Sequence, residues 1–299
     1  MELPQNIYSL YRHWDDHTTP LSAESSIIAI PEKLSWFIKE RLRIWEQKIS
    51  GGLPPYTNDP IMAKYRFCNI FREFDKQTLH YHGMLSPLRD DFPLWLLNMF
   101  YARMVARPET LELVGLLSFE KAANRELYEK LTASPRPRYG TPYVFPVSVI
   151  QRSKTPTREL FITEFLPTVM HTIAKEITTW KKISVHEGVA RILPLFGYNL
   201  AFLWTEVLID VAYQYPEHLD LFARFPIGPG SAPTFKRLAP DVEPSIFVSE
   251  LANIPFDTGI TVSGKQLRLS AENWEGVGCE FRKYTNLNAG HGRKRIYKK

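Results

Sequence analysis

Two carboxylates one helical turn apart, set in an otherwise apolar stretch, are the residues that first point to chemistry. Glu206 and Asp210 lie in GYNLAFLWTEVLIDVAYQY, residues 197–215. Drawn as a helix at about 100° per residue, Glu206, Asp210 and Tyr213 fall within about 40° of Asn199, so the polar groups form one seam. Apolar side chains, among them Phe202, Trp204 and Ile209, fill the rest of the circumference. Burying an unpaired carboxylate is costly, so the seam is expected to be solvated, paired or functional. Two like charges on one face favour the sharing of a proton, the condition for general acid–base work. A pair of satisfied structural acids is the alternative reading.

Glycine turns bracket this helix. In ARILPLFGYNLAFL, Gly197 separates two helical patterns and exposes backbone N–H groups where the second begins. In RFPIGPGSAPTFKRL, Gly228 and Gly230 are candidates for a backbone nest that receives a phosphate, with Ser231, Lys236 and Arg237 as further donors. The stretch GITVSGKQ has the glycine and lysine spacing of a P-loop, but Gln266 stands where Ser or Thr would meet magnesium. No buried strand precedes it and no convincing helix follows, so it reads as a hairpin or loop, and no nucleoside-triphosphate site is visible.

The elements that must position these residues are helical. PEKLSWFIKERLRIWEQKISGG carries a proline start and a glycine stop. Helices are also expected in YRFCNIFREFDKQTLHYHG, DFPLWLLNMFYARMV, SFEKAANRELYEKLTAS, RELFITEFLPTVMHTIAKEITTW, SVHEGVARILPLFG and SAENWEGVGCEFRKY. Five prolines break the pattern over residues 134–156. There YVFPVSVI is expected to pair as a short β-hairpin at a lobe boundary. The fold class is mostly α with a short β-hairpin element, organised as an N-terminal helical extension over 1–60 and a main domain over 61–299.

With 44% hydrophobic and 13% aromatic residues among 299, the chain can bury a substantial core. The net charge of +5 is modest, but from Phe281 onward seven basic residues and no acid occur, including Lys283, Arg293, Lys294 and Arg295. Such a tail is either solvated or tracks phosphates. Cys68 and Cys279 belong to no cluster of zinc spacing, so no metal is expected and reduced thiols in a cytoplasm are the simplest account. Neither a signal peptide nor a membrane span is read, and a cytoplasmic protein is expected.

Taken together, YRFCNIFREFDKQT, PLWLLNMFYARMV, LFGYNLAFLWTEVLIDVAY, RFPIGPG and CEFRKY…GHGRKR resemble the helical domain of phage thymine-hypermodification proteins. That group includes 5-hydroxymethyluracil DNA kinases and the α-glutamyl/putrescinyl-thymine pyrophosphorylases, or amino acid:DNA transferases. The resemblance runs from about Tyr65 to the C-terminus. It implies a helix-hairpin-helix, DNA-glycosylase-like fold on double-stranded DNA carrying a pyrophosphorylated hydroxymethyluracil. It further implies a free amino acid or polyamine as co-substrate, no other cofactor, and a separate DNA kinase acting upstream. Matching positions are Asn69, Arg72, Asp75, Thr78, Asp210, Tyr213, Gly228, Gly230, Cys279, Glu280, Lys283 and Tyr284. The chain departs from the family at Ser231, Ala232 and Pro233, where a further glycine is expected. Asp210, Glu206 and Tyr213 are the expected catalytic group. Asn69, Arg72, Asp75, Asn199, Gly228, Gly230, Ser231, Lys236 and Arg237 are expected to bind substrate, and Gly197, Lys283 and the tail to bind DNA. A DNA glycosylase of the same fold and a non-catalytic DNA-binding module are the competing readings.

Overall fold

The computed structural model describes residues 1–21, 29–141 and 145–292. The principal helices in chain order are α1 (Trp14–Thr18), α2 (Glu32–Ile49), α3 (Lys76–Met84), α4 (Phe92–Val105), α5 (Lys121–Ala133) and α6 (Leu166–Thr178). There follow α7 (Val185–Phe196), α8 (Ala201–Gln214), α9 (Ala232–Leu238), α10 (Pro244–Ala252) and α11 (Ala271–Asn288). Strands are two residues long: β1 (Ile183–Ser184) pairs in parallel with β2 (Leu219–Asp220), and β3 (Thr261–Val262) pairs antiparallel with β4 (Lys265–Gln266). The chain is mostly α.

It divides into two compact units. Unit 1 comprises Met1–Ser9, His13–Asp75 and Leu221–Lys299, and unit 2 comprises Leu10–Arg12 and Lys76–Asp220. The chain therefore changes unit near residues 75 and 220, while residues 134–156 lie within unit 2.

In unit 2, α4 packs against α6 and α8, and α7 against α8. Asp91 caps α4 by accepting from Leu94 N at 3.1 Å, with Pro93 in the first turn, where its missing N–H is not needed. Ser184 caps α7 in the same way through Glu187 N, and Gly197 ends it at φ +81°. Gly188 permits the close crossing of α7 and α8, because a Cβ there would lie 3.0 Å from both Leu208 and Trp180. Phe100, Phe196 and Trp204 form the aromatic centre of this unit, with ring centroids 4.6 to 5.3 Å apart.

In unit 1, α11 receives α2, α9 and α10. Its N-terminus carries a reciprocal capping box between Ser270 and Asn273. Phe37 of α2 meets Phe281 and Tyr284 of α11 at 5.5 and 5.4 Å.

The β-hairpin expected in residues 143–150 is not formed. Residues 142–144 lie outside those described, and Val147–Arg152 is a short helix entered from Pro146. A proline in extended conformation at a helix entry loses nothing, whereas inside a strand it removes a ladder donor. The hairpin occurs instead at GITVSGKQ, where Ser263 and Gly264 both have positive φ, as a two-residue hairpin turn requires. The stretch from Tyr65 to Phe74 also departs from expectation: it is irregular apart from a 3-10 turn at Arg72–Phe74, and helix resumes only at Lys76. Here side-chain carboxylates bind the backbone and compete with the helix ladder.

Candidate functional site

The seam on α8 finds its partners on neighbouring helices of unit 2. Asp210 is fully buried, and Arg103 of α4 grips it as a fork: Nε donates to Oδ2 at 2.7 Å and Nη2 to Oδ1 at 2.6 Å. His82 of α3 approaches Oδ1 through Nε2 at 3.1 Å. The Gln214 amide nitrogen donates to Leu10 O and lies 2.8 Å from His82 Nδ1, so Nδ1 accepts and Nε2 carries the proton given to Asp210. Arg103 also donates to Thr78 Oγ1 at 3.3 Å and lies over the Tyr81 ring at 5.1 Å. Tyr213 is buried, with its ring 5.5 Å from Tyr11 and 5.9 Å from His82.

Of the three expectations for the seam, solvated, paired or functional, Asp210 meets the second: Arg103 and His82 both bond it. Glu206 itself is half-buried. Asn199 is not part of the helix: Gly197 has ended α7, Leu200 is non-helical, and the exposed Asn199 turns its Oδ1 towards Ala201 N at 3.4 Å. Phe202, expected to pack, is 58% exposed, and Leu195 across the Gly197 turn is 45% exposed. Gly197 is exposed as well, so the hairpin tip presents a glycine turn flanked by apolar side chains.

Unit 1 gathers most of the other candidates. Asn69 N donates to Asp75 Oδ1 at 3.1 Å and the Asn69 amide donates to Phe74 O at 2.9 Å, which fixes the loop that holds Arg72, itself half-buried. Cys68 N donates to Glu280 Oε2 at 3.1 Å, and Lys283 Nζ bonds the same oxygen at 3.1 Å. Lys236 and Arg237 are exposed in the last turn of α9. Arg293, Lys294 and Arg295 lie outside the described residues.

The glycine loop departs from the expected nest. Gly228 N and the Ser231 hydroxyl both donate to Glu275 Oε1, at 3.1 and 2.5 Å, so a carboxylate of α11 already holds these donors. Neither Gly228 nor Gly230 has positive φ. Gly230 is required by close approach instead: a Cβ there would fall 2.6 Å from Cys279 Sγ. The Cys279 thiol is pushed up to about 11 by burial and by the Glu280 and Glu275 carboxylates, so at neutral pH it is a thiol and not a thiolate nucleophile. At the hairpin, the Glu2 carboxylate accepts from the N–H groups of Ser263 and Gly264 and from the Thr261 hydroxyl. These are the amides a P-loop would turn towards phosphate.

Arg103, His82 and Glu275 were not read from the sequence. Arg103 sits inside an apolar helical run, where a long cationic side chain ordinarily reaches for the surface. A lone basic residue in a run otherwise all buried was the available signal.

Helices carrying glycine turns and charge-paired polar centres define a mostly α protein of two compact units. The chain belongs to the family of the 5-hmdU DNA kinase helical domain, whose family model matches residues 29–293. That match includes α2, which the resemblance read from the sequence left outside; α2 and α11 pack together in unit 1. Among characterised relatives, the 5-hmdU DNA kinase of Bacillus phage SP10 is 38% identical over 104 residues, which is 33% of this chain and 16% of that kinase. The chain thus spans only a small part of the relative's length. No solved structure matches. Among the described residues no helix is long and apolar enough to cross a membrane.

Proposed function

We propose that the chain acts in thymine hypermodification of phage DNA, as a transferase that joins an amine to 5-pyrophosphoryloxymethyluracil on a helix-hairpin-helix, glycosylase-like fold. The observation that carries this reading is the family match over residues 29–293 in a chain whose P-loop-like stretch is a hairpin with its amides bonded to Glu2. A substrate that already bears pyrophosphate needs no ATP. A separate kinase acting upstream supplies it, and no cofactor is required beyond an amino acid or polyamine.

In the reaction the amine nitrogen attacks the exocyclic methylene, the carbon–oxygen bond breaks, and its electron pair leaves with pyrophosphate. One proton passes from nitrogen to a carboxylate. Glu206, half-buried on α8, is the proposed acceptor. Asp210 holds Arg103 and His82, and Tyr213 packs behind it; both act as positioning residues. Within unit 1, Lys236 and Arg237 are exposed cations that follow the loop of Gly228, Gly230 and Ser231 in sequence. The target base must leave the duplex to react. The exposed Gly197 turn, flanked by Leu195 and Phe202, suits docking on DNA, with Lys283 and Arg293 to Arg295 contacting phosphates.

The test is to supply DNA carrying the pyrophosphorylated base with a panel of amino acids and polyamines, without ATP, and to weigh the digested nucleosides. The proposal requires a nucleoside with the mass of thymidine plus the amine less two hydrogens. Free base and abasic DNA would establish a glycosylase instead. Unchanged DNA with tight binding would favour the non-catalytic DNA-binding module, a reading that the full pairing of Asp210 also accommodates.

A further inference from the structure

The N-terminal sequence HWDDH places His13 and His17 four residues apart, with His13 at the start of α1 and His17 in its last turn, so that both imidazoles share a face. Glu73 reaches them from 60 residues further along the same unit. The three side chains are 2%, 1% and 0% exposed respectively. His13 Nε2 lies 3.1 Å and His17 Nδ1 3.8 Å from Glu73 Oε1, and one ligand atom from each residue falls within 4.8 Å of the others. Among the described residues neither ring nitrogen of His17 has a hydrogen-bond partner. A buried imidazole without such a partner is uncommon, because burial strips both nitrogens of water.

We propose that His13, His17 and Glu73 form a binding site for a transition-metal dication of the zinc class. Arms of about 2.0–2.1 Å at tetrahedral angles hold ligand atoms roughly 3.3 Å apart, a spacing bracketed by the two distances to Glu73. The donor set decides the class of ion. Two imidazoles and one carboxylate suit zinc and its neighbours, whereas magnesium and calcium demand more oxygens. Arg268 strengthens that preference: its backbone N–H donates to His17 O, and its guanidinium lies over the Phe222 ring that edges onto His17. A cation so close leaves little net negative charge for a hard ion, so affinity rests on the nitrogens. The guanidinium donates outward to the carbonyls of Thr19 and Ala252. Three protein ligands leave a fourth position for water or another donor.

The ion would tie the N-terminal segment to the 3-10 turn that carries Glu73. That turn lies between Asn69 and Asp75, so occupancy of the site would set the shape of the loop those two residues close. The sequence carries no cysteine-based zinc spacing, and the carboxylate of this cluster is remote from both histidines along the chain.

The test uses the full chain, purified without a histidine tag or chelator. Elemental analysis is expected to find about one equivalent of zinc-class metal. After removal of metal with EDTA, added Zn2+ but not Mg2+ should raise the melting temperature. Co2+ should give the visible absorption bands of a low-coordinate nitrogen and oxygen site, and His17→Ala and Glu73→Gln should abolish those bands. Metal-free protein whose melting temperature is unmoved by Zn2+ and which gives no Co2+ spectrum would overturn the proposal. So would unchanged binding in His17→Ala. If that variant fails to fold, the Zn2+ and Co2+ titrations of the wild type decide the question.

Discussion

Asp210 in unit 2 and Glu73 in unit 1 are both fully buried carboxylates that bond to histidine, yet their surroundings differ in kind. Asp210 also receives a guanidinium fork, whose planar donors match both of its oxygens. Glu73 has two imidazoles beside it, one of which bonds nothing among the described residues through either nitrogen. A buried charge that finds a complementary charge within the fold is architecture. A buried imidazole with neither nitrogen hydrogen-bonded among the described residues, as at His17, is a place for something from outside. The first cluster explains how a core helix tolerates an acid, and the second shows where to seek a ligand.

The strongest way to break this comparison is to remove the fork. Arg103→Met removes both guanidinium bonds from the buried Asp210, and should cost about 3–5 kcal/mol in denaturant unfolding. Adding Asp210→Leu should recover much of that loss, because an apolar pair of similar volume often replaces a buried ion pair at little cost. A double mutant no more stable than the single would show that Asp210 does not depend on Arg103.

The glycine loop sharpens the comparison with a feature governed by shape. Gly230→Ala should cost about 1–3 kcal/mol through overpacking against Cys279 Sγ, and Cys279→Ala should relieve it. A neutral Gly230→Ala would mean that the loop moves freely off α11.

A smaller effect concerns pH. The Cys279 thiol ionises at about 11 in the folded chain against an ordinary 9.0, held up by burial and by Glu280 and Glu275. The unfolded chain therefore loses this proton first, and the contribution of Cys279 to stability declines as pH rises through that window. The melting temperature of the wild type should fall more steeply above pH 9 than that of Cys279→Ala. Parallel curves would exclude Cys279 as the cause.

Much of this was legible in the sequence where local rules govern. Pro31 and Gly51 mark the limits of α2, Gly197 marks the turn between α7 and α8, and the unsuitable Gln266 signals a hairpin in place of a P-loop. What was not legible depends on partners distant in sequence. The apolar pattern from Phe67 to Phe74 reads as helix, but Glu280 and Asp75 draw the amides of Cys68 and Asn69 out of any ladder. The Gly228 loop reads as a phosphate nest until Glu275 is seen to hold its donors. Asp210 of α8 is visible in the sequence as an acid in an apolar helix, but its counter-ion lies 107 residues away.

In the proposed reaction this chain consumes an activated base and an amine without ATP, with Glu206 of α8 taking the proton. The most direct measurement is amine-dependent release of pyrophosphate from DNA carrying 5-pyrophosphoryloxymethyluracil, compared between wild type and Glu206→Gln. The account predicts release that requires the amine and leaves a heavier base in intact DNA, with Glu206→Gln slower by about 10²-fold or more at unchanged DNA affinity. No release with any amine, or release from Glu206→Gln at the wild-type rate, would contradict it.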